Sequence, residues 1–439
     1  MTRKLCVFAA IALFFTTPMS GSEVPSSLPD SVIRFAQQQL SVLIKHVDRA
    51  VVIQESKNTN ESNKTTIATV KAWFKKHLSS FWATESKENR KILIVPTAFD
   101  KKSGKIVWGD IYDWRSGFYP GILWMMYEAT NKAYYKQKAQ QYTDRLSPVC
   151  NYSKHDLGFM VNNSFGKAFE LSGGGEKYKE AIVIAANTLC ARYSSKVGAI
   201  KSWNTTSKWE YPVIIDNMMN LELLFHAYQI TGNNSYRQIA MNHADKTMRN
   251  HFRTNYSSYH VVDYDARNGK VKMRGTSQGY SDESYWSRGQ AWGLYGFTMC
   301  YRFIREPRYL LHAEHIADFL LSLPYPDDLI PYWDMKSPDI PNTARDASSA
   351  AIMASALLEL SKYVNHAKGN RYKDYSRRLL QSLSNTYQSR EGSNGGFLLD
   401  HSTSFYRGNQ DVDAPIIYAD YYYLEALLRL RVIETEKAN

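Results

Sequence analysis

The stretch "LLFHAYQITGNNSY", residues 223–236, joins two different helical patterns across a short polar break. Its first half is apolar and aromatic, and the Gly-Asn-Asn run that follows is typical of a helix end. Tyr236 then opens a segment with apolar residues at three and four spacing, the pattern of an amphipathic helix. A helical hairpin of this kind cannot bury its apolar face alone, so the stretch predicts a repeat architecture.

Four other segments share this layout, and in each of them a Tyr follows the break. They are "LWMMYEATNKAYY", "FELSGGGEKY", "CYRFIREPRY" and "LLELSKYVNHAKGNRYKDY". The five Tyr residues, at 135, 178, 236, 309 and 372, are separated by 43, 58, 73 and 63 residues, so loops of unequal length are inserted between hairpins. Because the first helix of each pair is apolar nearly all round and the second is amphipathic, the pattern predicts an inner ring of helices sheathed by an outer ring.

The chain ends supply a sixth pair, from residues 31–50 and 421–434. We therefore expect an all-α fold. An open solenoid is the alternative arrangement, but unequal spacings and loop-borne Trp residues favour a closed toroid. Minor β content is expected around residues 257–275, where Asn268 and Gly269 form a hairpin turn signal.

The N-terminal stretch predicts a signal peptide at residues 1–22, with basic Arg3 and Lys4 before an apolar run. We expect an exported protein, periplasmic or secreted, whose residues 23–439 form a single domain without a membrane span.

The formal charge of +12 falls to about +10 after cleavage of the signal peptide, which suits an acidic ligand. Scattered Lys and Arg argue against nucleic-acid binding. Monomer is the default expectation. The odd number of Cys left after cleavage implies no disulfide framework.

Polar and aromatic residues concentrate in the segments that connect the predicted inner helices. These segments are "YDWRSGFYPG", "KHDLGF", "VIIDN", "GTSQGYSDESYWSRGQAWG" and "RDASSAA". If the inner helices converge at one end of the ring, these segments line a pocket there, which is the pattern of a small-ligand site. The chain lacks the HExxH, P-loop, nucleophile-elbow and dinucleotide motifs, so we expect no cofactor and no metal.

Two carboxylates are the candidate catalytic pair. Asp216 sits in "YPVIIDNMMNLELLF", which is interpreted as a buried helix, and Asp156 follows His155 in "KHDLGF". Each has a structural alternative as a helix cap or a backbone-bonded side chain. An Asp at an ordinary pKa of about 3.9 is only about 0.1% protonated at neutral pH, whereas desolvation and a nearby like charge both raise the pKa. Asp216 would then be able to serve as an acid.

The remaining candidates are aromatic, cationic or polar. Trp114, Trp286 and Trp292 lie beside glycines and suggest platforms for a sugar ring, although for any single Trp a core position is the alternative. Arg288 suits a substrate carboxylate or a structural ion pair. Taken singly, His260 and Gln278 are better explained as scaffold residues than as ligand contacts.

Together these motifs resemble the unsaturated glucuronyl hydrolases, glycoside hydrolase family 88. The resemblance runs in order through "DWRSGFYPGILWMMYEAT", "HDLGFM", "IIDNMMNL", "SSYH", "GTSQG", "YWSRGQAWGLYGF", "YWD", "RDASSAA" and "YADYYYLEALLRL". It implies an (α/α)6 barrel and the catalytic pair Asp156 and Asp216. It also implies substrate contacts, which fall on Trp114, His260, Gln278, Trp286, Arg288 and Trp292. His155, which precedes Asp156, is a further candidate for substrate binding.

The resemblance also implies the chemistry, because the family's substrates carry a terminal uronate with a C4=C5 double bond. Protonation of this vinyl ether at C4 and capture of the C5 cation by water release the neighbouring sugar, so the carboxylate-spacing rule of ordinary glycosidases does not apply. Three alternatives stay open: an unsaturated rhamnogalacturonyl hydrolase, a non-catalytic glycan-binding barrel and a polysaccharide lyase. Asp411 and Asp413 would repel sulfate if they faced the outer subsite, whereas the net basic charge argues the other way.

Overall fold

The computed structural model describes residues 27–62 and 94–438, so the predicted signal peptide lies outside the described residues. Twelve α-helices occur in the described ranges: α1 Leu28–Ser62, α2 Phe118–Thr130, α3 Ala133–Asp144, α4 Lys167–Ser172, α5 Glu176–Cys190, α6 Asn217–Thr231, α7 Asn234–Asn250, α8 Ser287–Ile304, α9 Pro307–Leu321, α10 Ala347–Leu360, α11 His366–Ser382 and α12 Ile417–Ala438. A π-helix, Gly158–Gly166, leads directly into α4. Cys150, Cys190 and Cys300 are free thiols.

Six of these elements form a closed inner ring. The order is α2, the π-helix with α4, α6, α8, α10 and α12, and α12 packs back against α2. Each inner element also packs against its outer partner, and the chain-end pair α1 and α12 completes the set. The toroid of six helical hairpins is therefore confirmed, and the open solenoid is not the arrangement adopted.

The breaks between paired helices have a common backbone cause. Four inner helices end at a residue in the left-handed conformation: Asn131 after α2, Gly173 after α4, Gly232 after α6 and Arg305 after α8. Such a residue reverses the chain while its amide caps the last helical turn. In these four hairpins the break seen in the sequence is thus a left-handed C-cap that starts the turn, whereas α10 ends at Ser361 in the right-handed conformation.

The Tyr after each break lies buried within the first two turns of an outer helix, as the repeat predicts. Two of these residues also join neighbouring hairpins. The Tyr236 hydroxyl on α7 donates to Asn187 on α5 at 2.7 Å, and the Tyr309 hydroxyl on α9 donates to Asp245 on α7 at 2.9 Å. The recurrent Tyr therefore contributes both apolar burial and a hydrogen bond that fixes the stagger between outer helices.

The strands are short and lie in the connecting segments. They are β1 Ile94–Asp100, β2 Lys105–Asp110, β3 Tyr193–Ser194, β4 Ala199–Ile200, β5 Pro212–Ile214, β6 Val261–Tyr264 and β7 Val271–Gly275. β6 and β7 form the predicted hairpin, and β5 adds to it as a third antiparallel strand. In the described ranges, every helix is too short or too polar to cross a bilayer.

Candidate active site

The segments predicted to line a pocket meet at one end of the ring, where the inner helices begin. Asp216 immediately precedes α6, Asp346 caps α10, and Trp286 precedes α8. Trp114 lies before α2 and contacts Phe159 of the π-helix and Tyr418 of α12. Residues from most of the inner ring are therefore brought to one place by the closure of the toroid.

Asp216 does not lie inside a helix, which corrects the interpretation of residues 211–225 as one continuous helix. Pro212–Ile214 form strand β5, and α6 begins only at Asn217. Val213, Ile214 and Ile215 are β-branched, a composition that suits a buried strand. Nor does the Asp216 side chain cap α6. Its carboxyl is therefore free to face the site.

The small sheet places three of the predicted residues together. Ile214 pairs with Val261, and the amide of Ile215 donates to the carbonyl of His260 at 3.0 Å, so Asp216 and His260 lie side by side. The next strand, β7, ends at Gly275 and leads into the loop that carries Gln278. This strand pairing, which the sequence did not reveal, is what positions Asp216 relative to His260.

His260 is a neutral imidazole whose tautomer follows from its hydrogen bonds. Its Nδ1 accepts the backbone amides of Ser277 at 3.0 Å and Gln278 at 3.1 Å, so the single ring proton is on Nε2. Burial lowers the pKa of His260 to about 3, helped by the positive charge of Arg288. The Nε2–H lies 3.6 Å from Asp216 Oδ2 and has no hydrogen-bond partner among the described residues.

Burial determines the protonation of the Asp216 carboxyl. Its side chain is 13% exposed, and burial raises its pKa to about 7. The charge of Asp156 raises the pKa further, whereas the Arg288 cation and the indole N–H of Trp292 lower it. Oδ2 makes no hydrogen bond within the described part of the chain. At neutral pH a large share of this carboxyl is protonated, and one of its oxygens is free to meet a substrate.

Asp156 lies in the same site and is held by its neighbours. Its Oδ1 is 3.1 Å from His155 Nε2, and its Oδ2 is 3.8 Å from Lys154 Nζ. Burial lowers the pKa of His155, although the charge of Asp156 opposes this. The structure therefore brings the predicted pair of carboxylates together, with His155 oriented against the Asp156 side chain.

Asn220 links the two carboxylate segments. Its Oδ1 accepts the backbone amide of Phe159 at 3.0 Å, and its Nδ2 is 3.5 Å from the carbonyl of Asp216. Gly158 lies so close to the Asn220 backbone that an added Cβ would clash with it. The first turn of α6 and the start of the π-helix are thereby locked together, which fixes Asp156 near Asp216.

Arg288 is 2% exposed, and both of its terminal nitrogens donate to protein acceptors. Nη1 lies 3.2 Å from Asp346 Oδ2 and also binds the carbonyl of Thr403. Nη2 donates to Gln278 Oε1 at 2.9 Å and to the carbonyl of Ser404. The structural ion pair, one of the two sequence alternatives, is therefore present. Because Gln278 Oε1 accepts from Arg288, the Gln278 amide nitrogen is turned away from it.

The three predicted Trp residues differ in what they can contact. Trp114 is partly exposed. Trp286 is nearly buried between His260, at 4.6 Å between ring centres, and the Arg288 guanidinium, 4.7 Å from its ring. Trp292 is 0% exposed and packs between Phe159 and Tyr422, so its faces are covered by protein. The expectation of a stacking platform is corrected for Trp292, whose contribution to the site is its indole N–H near Asp216.

Two residues of the site were missed by the sequence interpretation. Trp203 is partly exposed and lies 6.5 Å, between ring centres, from both His155 and His260. Asp346 is the buried partner of Arg288. Trp203 could have been predicted, because it lies in sequence between the two Asp motifs. Asp346 could not, because its motif "RDASSAA" is typical of an ordinary helix start.

The two acidic residues of the 407–415 loop form ion pairs with cations. Asp411 accepts from Arg115 Nη1 at 2.8 Å, and Asp413 lies 3.2 Å from Lys101 Nζ and 2.6 Å from His401 Nδ1. The hydrogen bond that His401 Nδ1 donates to the Asp413 carboxylate raises the pKa of His401. Arg115 also pairs with Asp113 and Lys101 also pairs with Asp400, so these cations are shared and compensate the negative charges of the loop only in part. The predicted repulsion of sulfate is weakened to the same extent.

A family model described as Glycosyl Hydrolase Family 88 matches residues 98–393. The chain belongs to this family. An unsaturated glucuronyl hydrolase of Formosa agariphila is 45% identical over 321 residues, which cover 72% of this chain and 80% of that relative. The family 88 assignment identified from the sequence is thus confirmed, and with it the chain is a glycosidase.

Two further relatives are named for different substrates. An unsaturated chondroitin disaccharide hydrolase of Streptococcus pneumoniae is 34% identical over 327 residues, 73% of this chain and 82% of the relative. The crystal structure of an unsaturated glucuronyl hydrolase specific for heparin matches with a TM-score of 0.76 at 42% identity, covering 78% of this chain and 92% of that one. The barrel described above is the fold of this family.

Proposed function

We propose that the chain removes the 4,5-unsaturated uronic acid from the non-reducing end of lyase-generated, glycosaminoglycan-type oligosaccharides. The reaction is hydration of the C4=C5 double bond, with Asp216 as general acid and then base. The observation that carries this proposal is the Asp216 carboxyl, whose pKa is raised to about 7 and whose Oδ2 is unpartnered in the described residues. The relatives' described activities on unsaturated glucuronyl and chondroitin substrates support the substrate class.

The chemistry needs an acid that is still protonated near neutral pH. Protonation of carbon is slow compared with protonation of oxygen, and an acid whose pKa matches the operating pH combines a useful protonated fraction with a sufficient driving force. Asp216 meets this requirement because its environment removes solvent from the carboxyl. After giving its proton to C4, the carboxylate is the base for the water that attacks C5. The resulting hemiketal opens and releases the neighbouring sugar.

The other groups hold the substrate. The neutral His260 donates through Nε2–H, and the Gln278 amide nitrogen is turned away from Arg288 by the bond that its oxygen accepts. These two donors and the positive field of Arg288 form the receptor for the uronate carboxylate. Asp156 accepts hydrogen bonds from the ring hydroxyls, and Trp114 and Trp203 offer partly exposed aromatic surface for the sugar.

The direct test is a panel of unsaturated disaccharides of defined sulfation, made with chondroitin, heparin and rhamnogalacturonan lyases. Loss of the ultraviolet absorbance of the double bond measures turnover. We expect turnover of uronyl disaccharides from chondroitin or heparin, and at least about a 10²-fold lower kcat for Asp216→Asn with the fold retained. Full activity of Asp216→Asn would remove this residue from the mechanism.

The same panel separates the alternatives. Turnover of the rhamnogalacturonan product alone would assign the chain to pectin fragments. Binding of the disaccharides without loss of absorbance would indicate a glycan-binding barrel. A rise in absorbance on intact polysaccharide would indicate a lyase.

We further propose export through the signal peptide predicted at residues 1–22. Expression of the full chain should place the activity in the periplasm or medium, and deletion of residues 1–22 should keep it in the cytoplasm. Activity in the cytoplasm with the full chain would contradict export.

A further inference from the structure

The Arg288 cation is buried and needs a counter-charge. Its side chain is 2% exposed, and a charge buried without a partner strongly destabilises a protein. The acceptors supplied by Thr403, Ser404 and Gln278 are neutral oxygens. Asp346, at 0% exposure and 3.2 Å, is the carboxylate in ion-pair contact with Arg288 within the described ranges.

Asp346 is itself fixed by bonds that do not involve Arg288. Its Oδ1 accepts the amide of Ser348 at 3.2 Å, which caps α10, and the amide of Thr403 at 3.3 Å. It also accepts from the Ser348 hydroxyl. One carboxylate oxygen therefore belongs to the helix start and the 403 loop, and the other is held facing Arg288. This leaves Arg288 little freedom to move.

We propose that Asp346 is a positioning residue of the active site, whose carboxylate neutralises Arg288 and fixes it so that Arg288 orients Gln278 and exerts only a reduced positive field on Asp216. The proposal rests on the function proposed above, in which Asp216 must be protonated to act. Asp346 touches neither substrate nor reacting atoms in this scheme. It acts through Arg288.

The charged and polar groups around Asp216 define the effect of losing Asp346. From α8, Arg288 and the Trp292 N–H favour the ionised carboxyl, and from the segment before the π-helix Asp156 opposes ionisation. His260, before β6, is neutral. Tyr418 of α12 faces Arg288 and Asp346, and burial raises its pKa to about 12 so that it stays uncharged. Removal of the Asp346 charge leaves Arg288 unopposed and lowers the pKa of Asp216.

The test is the pH dependence of kcat for Asp346→Asn at saturating disaccharide. Asn can still cap α10, so the fold is expected to survive. In the wild type, kcat falls with rising pH as Asp216 loses its proton, which forms the alkaline limb of the pH profile. If this limb moves down by about one pH unit in the variant, the ratio of wild-type to variant kcat is about fivefold larger at about pH 7 than at about pH 5. A residue with only a structural role would change this ratio equally at both pH values.

Asp420→Asn is the matched control. Asp420 is equally buried, lies in the first turn of the inner helix α12 and accepts the amides of Leu398 and Leu399 at 2.9 Å each. Those amides are neutral partners, whereas Asp346 faces a cation. We expect Asp420→Asn to lower stability and to leave the alkaline limb where the wild type has it.

An unshifted limb in folded Asp346→Asn would overturn the proposal. If circular dichroism shows that this variant does not fold, Asp346→Glu takes its place. Glu keeps the negative charge, so its limb should match the wild type, and a downward shift would overturn the proposal. Failure of the proposed function is separate, because it would appear as full turnover by Asp216→Asn.

Discussion

The buried Asp216 carboxyl predicts a pH-dependent effect on stability that can be measured without substrate. Its pKa rises from 3.8 to about 7 on folding, so the native state binds more protons than the unfolded state between these values. The contribution of Asp216 to the free energy of unfolding is therefore largest below about pH 4. It falls as the pH rises toward 7 and stays constant above that. Asp216→Asn removes this titration, because the amide carries no charge at any pH.

The size of the effect follows from the two pKa values. One pKa unit corresponds to about 1.4 kcal/mol, so ionising Asp216 in the native state costs up to about 4 kcal/mol at high pH. At about pH 5.5 the penalty is about 2 kcal/mol, because only the unfolded state is ionised there. The stabilisation by Asp216→Asn should thus be about 2 kcal/mol larger at about pH 8 than at about pH 5.5. Such a gain in stability is common where a protein keeps an unfavourable group for its function.

Urea unfolding at the two pH values measures this difference, with Asp327→Asn as the control. Asp327 is an exposed carboxyl, so its substitution should have the same small effect at both pH values. If Asp216→Asn also has the same effect at both pH values, the carboxyl titrates alike in the folded and unfolded chains. Burial would then not raise the pKa of Asp216, and Asp216 would not be the acid.

Three other predictions concern the same site. The kcat of the wild-type enzyme should fall above about pH 7 as Asp216 loses its proton, and a limb below pH 5 in its place would argue against a raised pKa. His260→Ala should lower kcat/KM about 10²-fold, because the Nε2–H that donates to the uronate carboxylate beside Asp216 is lost, and an unchanged kcat/KM would show that His260 does not contact the substrate. Asn220→Ala should cost about 1–3 kcal/mol in unfolding free energy by leaving the Phe159 amide unpaired, and should lower kcat more than it raises KM. Unchanged kcat in that variant would mean that Asp156 and Asp216 keep their spacing without Asn220.

The ring of hairpins could be predicted because its signals are local. The contrast between all-apolar and amphipathic helices is visible along the chain, and so are the Gly and Asn residues that end α2, α4 and α6. The strand β5 was missed because a short apolar run does not distinguish a strand from the start of a buried helix. Its pairing with β6 depends on a residue some fifty positions later, which no local window contains.

The site could be predicted only in part, because some of its properties depend on tertiary packing. Residue type and motif order identified Asp156, Asp216, His260 and Gln278, and the structure brings these side chains to one end of the ring. Exposure is a property of packing, so the burial of Trp292 and the partial exposure of Trp203 could not be read from their neighbours in sequence. The same holds for Asp346, which gains its role only when α10 meets α8.

Sequence alone determined that apolar helices alternate with amphipathic ones, and which acidic and aromatic side chains stand at their ends. Tertiary structure decided the protonation state of Asp216, because a pKa is set by the solvent excluded around a group and by charges that other helices supply. Those charges, on Arg288 and Asp156, come from segments more than fifty residues away from it. Only closure of the ring brings them within range of one another.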